Sequence, residues 1–298
     1  MVWMLGGMMF AGLTACSGDD DAADRPDDGV RVRRITITQT DGAAARQGLT
    51  RATLTEDDGL TASWTAGDGL TYCNLSRTNP SDEGVYSGAL TATSSAATSQ
   101  FTGNVTCNAG DYLAVVYPAA TFVTNESYTI SLAGQDGTLG TLATNYHYVY
   151  GNAFVTSVTD NTANATMEKM KSLLTVCKFS FVDKTTGAAI PIKTLAISYG
   201  GTGSDAGTYP QSATVAIGAY TAQTDVHATG AVGSTPLTAT CPSAQDAVFV
   251  ALLPTSGQRT FNFTVTDGSG NTYKGSAHAT LTEGEYIVAT GLKLTKNN

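Results

Sequence analysis

The sequence predicts an all-β fold of two tandem β-sandwich domains with little helix. Three observations carry this. Only 14% of the 298 residues are charged, while 42% are hydrophobic, against about 25% charged in an average soluble protein. The chain holds 32 glycines among abundant Thr, Ser and Ala, with none of the Glu, Lys and Leu excess of long helices. Apolar residues recur at period two between Asp-Gly and Gly-Ser turn signals, the pattern of half-buried strands. The hydrophobic fraction is too high for intrinsic disorder. A net charge of −9 and three histidines, His147, His227 and His278, leave little for phosphate binding or imidazole chemistry, so no nucleic-acid partner is expected.

Residues 1–16 read as an export signal. Val2 to Ala15 is almost wholly apolar and too short for a spanning helix of about 20 residues. No Lys or Arg precedes the run, so a start a few residues upstream is expected. Its end, Leu13-Thr14-Ala15-Cys16, resembles a bacterial lipobox, with small side chains for a signal peptidase and the Cys16 thiol as lipid acceptor. Three acyl chains, as bacterial lipoproteins normally carry, would anchor firmly, whereas one anchors weakly. The acidic stretch that follows, Asp19 to Asp28, reads as a solvated tether.

Residues 17–51 are read as this tether plus a first strand. Val30 to Thr40 alternates, with Ile35 and Ile37 facing one way. The segment Asp41 to Asp58, rich in Gly, Ala, Thr and acids, is expected to be an exposed loop open to proteolysis. It contains Arg46 and Arg51. Residues 52–160 and 161–298 are read as the two sandwiches, divided near Asp160 by a polar, turn-rich stretch. In the second, Cys177, Phe179 and Phe181 alternate, as do Phe261, Phe263 and Val265. Thr166 to Leu174 is the one stretch that looks helical, with Met167, Met170, Leu173 and Leu174 on one face and Thr166 as N-cap. The glycine-rich Gly200 to Gly207 reads as a hairpin loop, because it lacks the Gly-Lys-Ser/Thr ending of a phosphate loop.

Catalytic and metal motifs do not emerge. There is no G-x-S-x-G elbow, and the Asp clusters lack the spacing of a calcium loop. The cysteines Cys73, Cys107, Cys177 and Cys241 match no zinc or redox spacing. Export would let Cys73 pair with Cys107 and Cys177 with Cys241, and free buried thiols are the equal alternative. His147 lies in a tyrosine-rich run, where a partly buried strand position outweighs ligand stacking. No cofactor and no catalytic activity are expected. The Asn-x-Ser/Thr triplets headed by Asn74, Asn104, Asn125, Asn164 and Asn262 need no glycan in so Thr-rich a chain.

Several segments, in order, resemble the fimbrillins of Bacteroidota. They are Thr50-Arg51-Ala52-Thr53, then Trp64-Thr65-Ala66-Gly67-Asp68, Gly110-Asp111-Tyr112 with Val116-Tyr117-Pro118-Ala119, Leu252-Leu253-Pro254, and Leu281 to Leu294. The acidic residues after Cys16 resemble the signal that sends lipoproteins of that phylum to the outer face of the cell. The resemblance implies transthyretin-like, Greek-key sandwiches and a lipoprotein precursor on the outer membrane. It further implies removal of the leading segment by a trypsin-like or arginine-specific protease, here after Arg51 with Arg46 as the alternative, and polymerisation with other fimbrial subunits. Cleavage at Arg31, Arg33 or Arg34 would leave the first strand in place. The vacated groove would accept a C-terminal strand from another subunit. The candidate is Tyr286 to Lys296, with Ile287 and Ala289 on one face before Gly291 and Leu292 and Leu294 after it; Gly291 would allow a bend or bulge. An anchor or tip subunit is the first alternative. A glycan-binding surface lipoprotein using Trp64 or Tyr146, Tyr148 and Tyr150 is the second.

Overall fold

The computed structural model describes residues 31–40, 53–56, 59–79, 84–217 and 223–297. Strands dominate. The first half contains β1 (Val32–Thr40), β2 (Thr53–Glu56), β3 (Leu60–Ser63), β4 (Gly69–Thr78), β5 (Val85–Ala92), β6 (Gln100–Thr106), β7 (Tyr112–Tyr117), β8 (Phe122–Thr124), β9 (Ser127–Ser131), a helix α1 (Leu139–Asn145), β10 (Val149–Val158), β11 (Thr162–Glu168) and β12 (Lys171–Ser172). The second half contains β13 (Thr175–Asp183), β14 (Ile192–Tyr199), β15 (Ser212–Ala216), β16 (His227–Gly230), β17 (Leu237–Gln245), β18 (Val248–Leu252), β19 (Arg259–Asp267), β20 (Thr272–Ala279) and β21 (Tyr286–Asn297).

The first sheet runs β11-β1-β6-β5-β4-β7-β10-β12, and β11 also pairs with β10. That last pairing closes the sheet into a barrel and leaves its interior strands without free edges. The interior is filled by Ile35, Ile37, Trp64, Leu70, Leu90, Phe101, Leu113 and Met167, among others. Trp64 meets Phe101 edge-on, with ring centroids 5.0 Å apart, and Tyr117 at 5.5 Å. The turn after it is tight. Gly67 adopts φ +97°, and Asp68 accepts the Thr65 N–H at 2.7 Å. Tyr117-Pro118 is a cis peptide.

The expected helix over Thr166 to Leu174 is absent. Ala163, Ala165 and Met167 alternate inward with exposed Thr162, Asn164, Thr166 and Glu168. Period two therefore wins over the partial 3.6 pattern, because β11 supplies the backbone partners of both β1 and β10. The boundary placed near Asp160 falls in the β10–β11 turn, inside the first sheet. The chain passes to the second sheet between β12 and β13. The Asp41–Asp58 stretch is not all loop either, since Thr53–Glu56 pairs with Leu60–Ser63.

The second sheet runs β17-β14-β19-β20-β21-β13-β18. Phe179, Phe181 and Phe263 pack against one another in its core, with centroids 5.2 to 6.2 Å apart. In both halves the first strand lies parallel to a late one, β1 beside β11 and β13 beside β21. A third sheet, β16-β15-β9-β8, joins the halves. Its centre is the antiparallel pairing of β9 with β15, from Ser131↔Ser212 to Ser127↔Ala216. One continuous core runs from the outer faces of β4, β7 and β10 (Cys73, Leu75, Ala114, Val116, Tyr150) through this sheet to the second domain. The middle strands of the barrel are thus buried on both faces, which accounts for the unbroken apolar run Tyr112–Tyr117. Gly200–Gly207 is not a hairpin loop between partners. It closes on Tyr199 and connects β14 to β15, which lie in different sheets.

All four described cysteines are free and buried. The pairing of Cys73 with Cys107 is excluded by the barrel wall, because Cys73 faces the outer core and Cys107 the interior. Burial pushes the Cys73 thiol up to about 12 and that of Cys107 up to about 11.

Candidate strand-exchange groove

β1 lies between β6 and β11, with seven register pairs to each. Four of its side chains point inward in the order Arg33, Ile35, Ile37, Gln39. Ile35 and Ile37 are fully buried, a burial that contributes roughly 1.5 to 3 kcal/mol for each side chain. At one end Arg33 is also buried. Its Nε donates to the Thr159 carbonyl at 2.8 Å, and its Nη1 donates to the Cys107 carbonyl and to Asn108 Oδ1 at 3.2 Å. At the other end the buried Gln39 amide atoms find no hydrogen-bond partner among the described residues, a shortfall that costs about 1 to 3 kcal/mol. The leading strand fits its slot well in the middle and poorly at its C-terminal end.

Next to the cation end, Asp111 is nearly buried. It accepts from Asn108 N–H at 2.8 Å, from Asn74 Nδ2 at 2.9 Å and from Arg77 at 2.7 Å. This network fixes the β6–β7 loop that carries the Cys107 and Asn108 oxygens. Nothing in the alternation of β1 singles out Arg33 as an inward residue beyond its even spacing from Ile35.

The C-terminal strand β21 pairs with β13 from Val176↔Tyr286 to Asp183↔Leu294, and with β20 through only three pairs. Leu294 is buried, while Ile287, Ala289 and Leu292 are half-buried and Val288 is exposed. The register to β13 shifts at Gly291, which has φ +66° and donates its N–H to Ser180 Oγ at 2.9 Å. The start of the strand is clamped to the first half. Glu56 accepts from Tyr286 Oη at 2.5 Å and from Lys178 Nζ at 2.7 Å. The Lys178 ammonium, and then the Tyr286 hydroxyl, hold the Glu56 carboxyl below its usual value.

Cys16, Arg46 and Arg51 lie outside the described residues. The aromatic surface expected for sugar binding does not form, because Trp64 and Tyr150 are fully buried and Tyr146 and Tyr148 are half-buried. His147 is buried just before β10, without access for a stacking ligand. Asn74 is likewise inside, its amide spent on Thr106 and Asp111. Among the described residues no group of three His, Cys, Asp or Glu could hold a metal ion, and no helix is long and apolar enough to cross a membrane.

These features define a two-domain β-sandwich protein with its leading strand built into the first domain. Its fold is shared with a Bacteroides uniformis protein provisionally assigned to cell adhesion, at 15% identity over 86% of this chain and 98% of that one, with a TM-score of 0.50. An adhesin, also provisionally assigned, from Bacteroides ovatus covers 94% of this chain and 99% of its own at 9% identity, with a TM-score of 0.43. A shaft pilin of Lactobacillus rhamnosus GG matches over 90% of this chain and 98% of its own, at 9% identity and a TM-score of 0.33. No family model and no curated protein matches the chain.

Proposed function

We propose that the chain is a structural fimbrial subunit, exported as a lipoprotein through Cys16, matured after Arg51 and polymerised by strand exchange, without catalytic activity. The observation that carries this reading is the position of β1. It occupies a slot between β6 and β11, and its two isoleucines are part of the barrel core. Cleavage after Arg51 would cut the chain between this strand and the rest. Its departure would leave two strands with unpaired backbone groups and an apolar trough, a template for a strand from another chain. β21 is the strand to fill it. A head-to-tail contact of this kind does not close on itself and grows a filament. The same step would release the subunit from its lipid. The fold is shared with a protein provisionally assigned to cell adhesion, which accords with a surface role.

Brief exposure of the purified precursor to trypsin tests the reading. The expected result is a stable fragment beginning at Ala52, followed by ladders that resist SDS without heating. Digestion throughout the chain, or a stable fragment that still carries β1, would overturn it. An anchor subunit would instead persist in the cell as the acylated, uncleaved form.

A further inference from the structure

The end of the groove near Arg33 carries more information than the trough itself. Three of its acceptors, the carbonyls of Cys107 and Thr159 and the Asn108 side-chain oxygen, belong to the barrel and not to the β1 segment, whereas the Arg31 carbonyl, at 3.5 Å, leaves with it. The three sit on the β6–β7 and β10–β11 connections and remain when β1 leaves. The two carbonyls then lose the guanidinium they accept from, in a place where acceptors without donors are costly. A strand that refills the slot must therefore present a cation, two apolar side chains and a small or polar residue at alternate positions.

We infer that this oxygen cluster is a cation-recognition site that sets the direction and register of the incoming strand. Lys296 of a second copy replaces Arg33, Leu294 and Leu292 take the Ile35 and Ile37 positions, and Thr290 replaces Gln39. The inference rests on the strand-exchange reading above. β21 matches only when read backwards, as Lys296, Leu294, Leu292 and Thr290. Read forwards from Lys293, it offers only Thr295 and Asn297. The donor therefore runs opposite to β1, antiparallel to β11 and parallel to β6. The lysine ammonium has three protons for the three oxygens. Thr290 in the last position removes the buried amide that Gln39 leaves without a partner. Other strands carry a cation followed by alternating apolar residues, Lys193 to Tyr199 and Arg259 to Val265 read forwards, and Arg77 to Cys73 and Lys178 to Val176 read backwards, but each holds residues paired to neighbours on both sides. β21 also lies between two strands, but its seven pairs to β13 and three to β20 fall on different residues, so none of its residues is paired on both sides.

The experiment follows SDS-resistant ladders after trypsin maturation of the full-length chain and of three variants. Lys296 is exposed in the precursor, so its replacement should leave the urea midpoint unchanged. K296E is expected to slow ladder formation by about tenfold or more, K296R to keep it, and K293E, on the opposite face, to leave it as in the unchanged chain. Assembly of K296E at the unchanged rate, or equal loss in K296E and K293E, would overturn the cation site while leaving strand exchange standing. A fragment beginning at Ala52 that forms no ladder even with Lys296 present would overturn the strand-exchange reading and the register with it.

Discussion

The inner face of β1 is where single residues decide most. Ile35 and Ile37 were legible from alternation alone, and the structure buries both completely. Arg33 was not, because a cation two residues before an apolar pair reads as a strand end until the oxygens of the β6–β7 and β10–β11 connections are seen around it. Trp64 misleads in the other direction. A tryptophan before a Gly-Asp turn suggests an exposed ring, yet it is held between Phe101 and Tyr117. The buried thiols give a test at this scale. Cys107 is fully enclosed in the barrel interior, with its thiol pushed up to about 11 by burial. At pH 8 maleimide labelling read by mass spectrometry should leave Cys107 unmodified in the folded full-length chain and modify it once the chain is unfolded in urea. Rapid labelling at pH 8 would show that β1 does not seal the barrel.

At the scale of elements, the strands with one wet face were readable and those without were not. β11 was misread because Met167, Met170, Leu173 and Leu174 mimic a helical stripe, whereas the decisive contacts are its backbone pairings to β1 and β10. α1 escaped notice because seven residues with Gly140 carry little helical signal. Thr138 caps it, and Asp136 holds the cap by accepting from Thr138 and Thr141. The glycine irregularity in β21 was legible, since an isolated Gly in a strand marks a bulge. What sequence could not show is the tie between β2 and β21 through Glu56. The folded Glu56 carboxyl lies below its ordinary value of 4.5, so its contribution is complete above about that pH and is lost as pH falls through the folded value. Hydrogen exchange at the start of β21, corrected for intrinsic rates, should therefore be faster at pH 3 than at pH 6. E56Q should abolish the difference, and an equal pH response in E56Q would remove the clamp from consideration.

For the whole molecule, the count of two domains was legible but their joint was not. Pairing of Ser127–Ser131 with Ser212–Ala216 links segments far apart in sequence and leaves no local pattern. The boundary was misplaced for a related reason, because the polar turn at Asp160 belongs to a hairpin of the barrel. The shared core predicts that both halves unfold together. Calorimetry should give one transition. V215D, at a fully buried position of the joining sheet, should separate it into two or lower it as a whole by several degrees. Two transitions in the unchanged chain would contradict a common core.

The joining sheet also governs how a subunit of the proposed fibre would bear load. With β9 and β15 bonded side by side and apolar side chains packed beneath them, the two halves have no hinge between them. A fibre made of these units would flex only at the junctions between copies, and a pull along it would meet its weakest point where a borrowed strand sits in a neighbour's barrel.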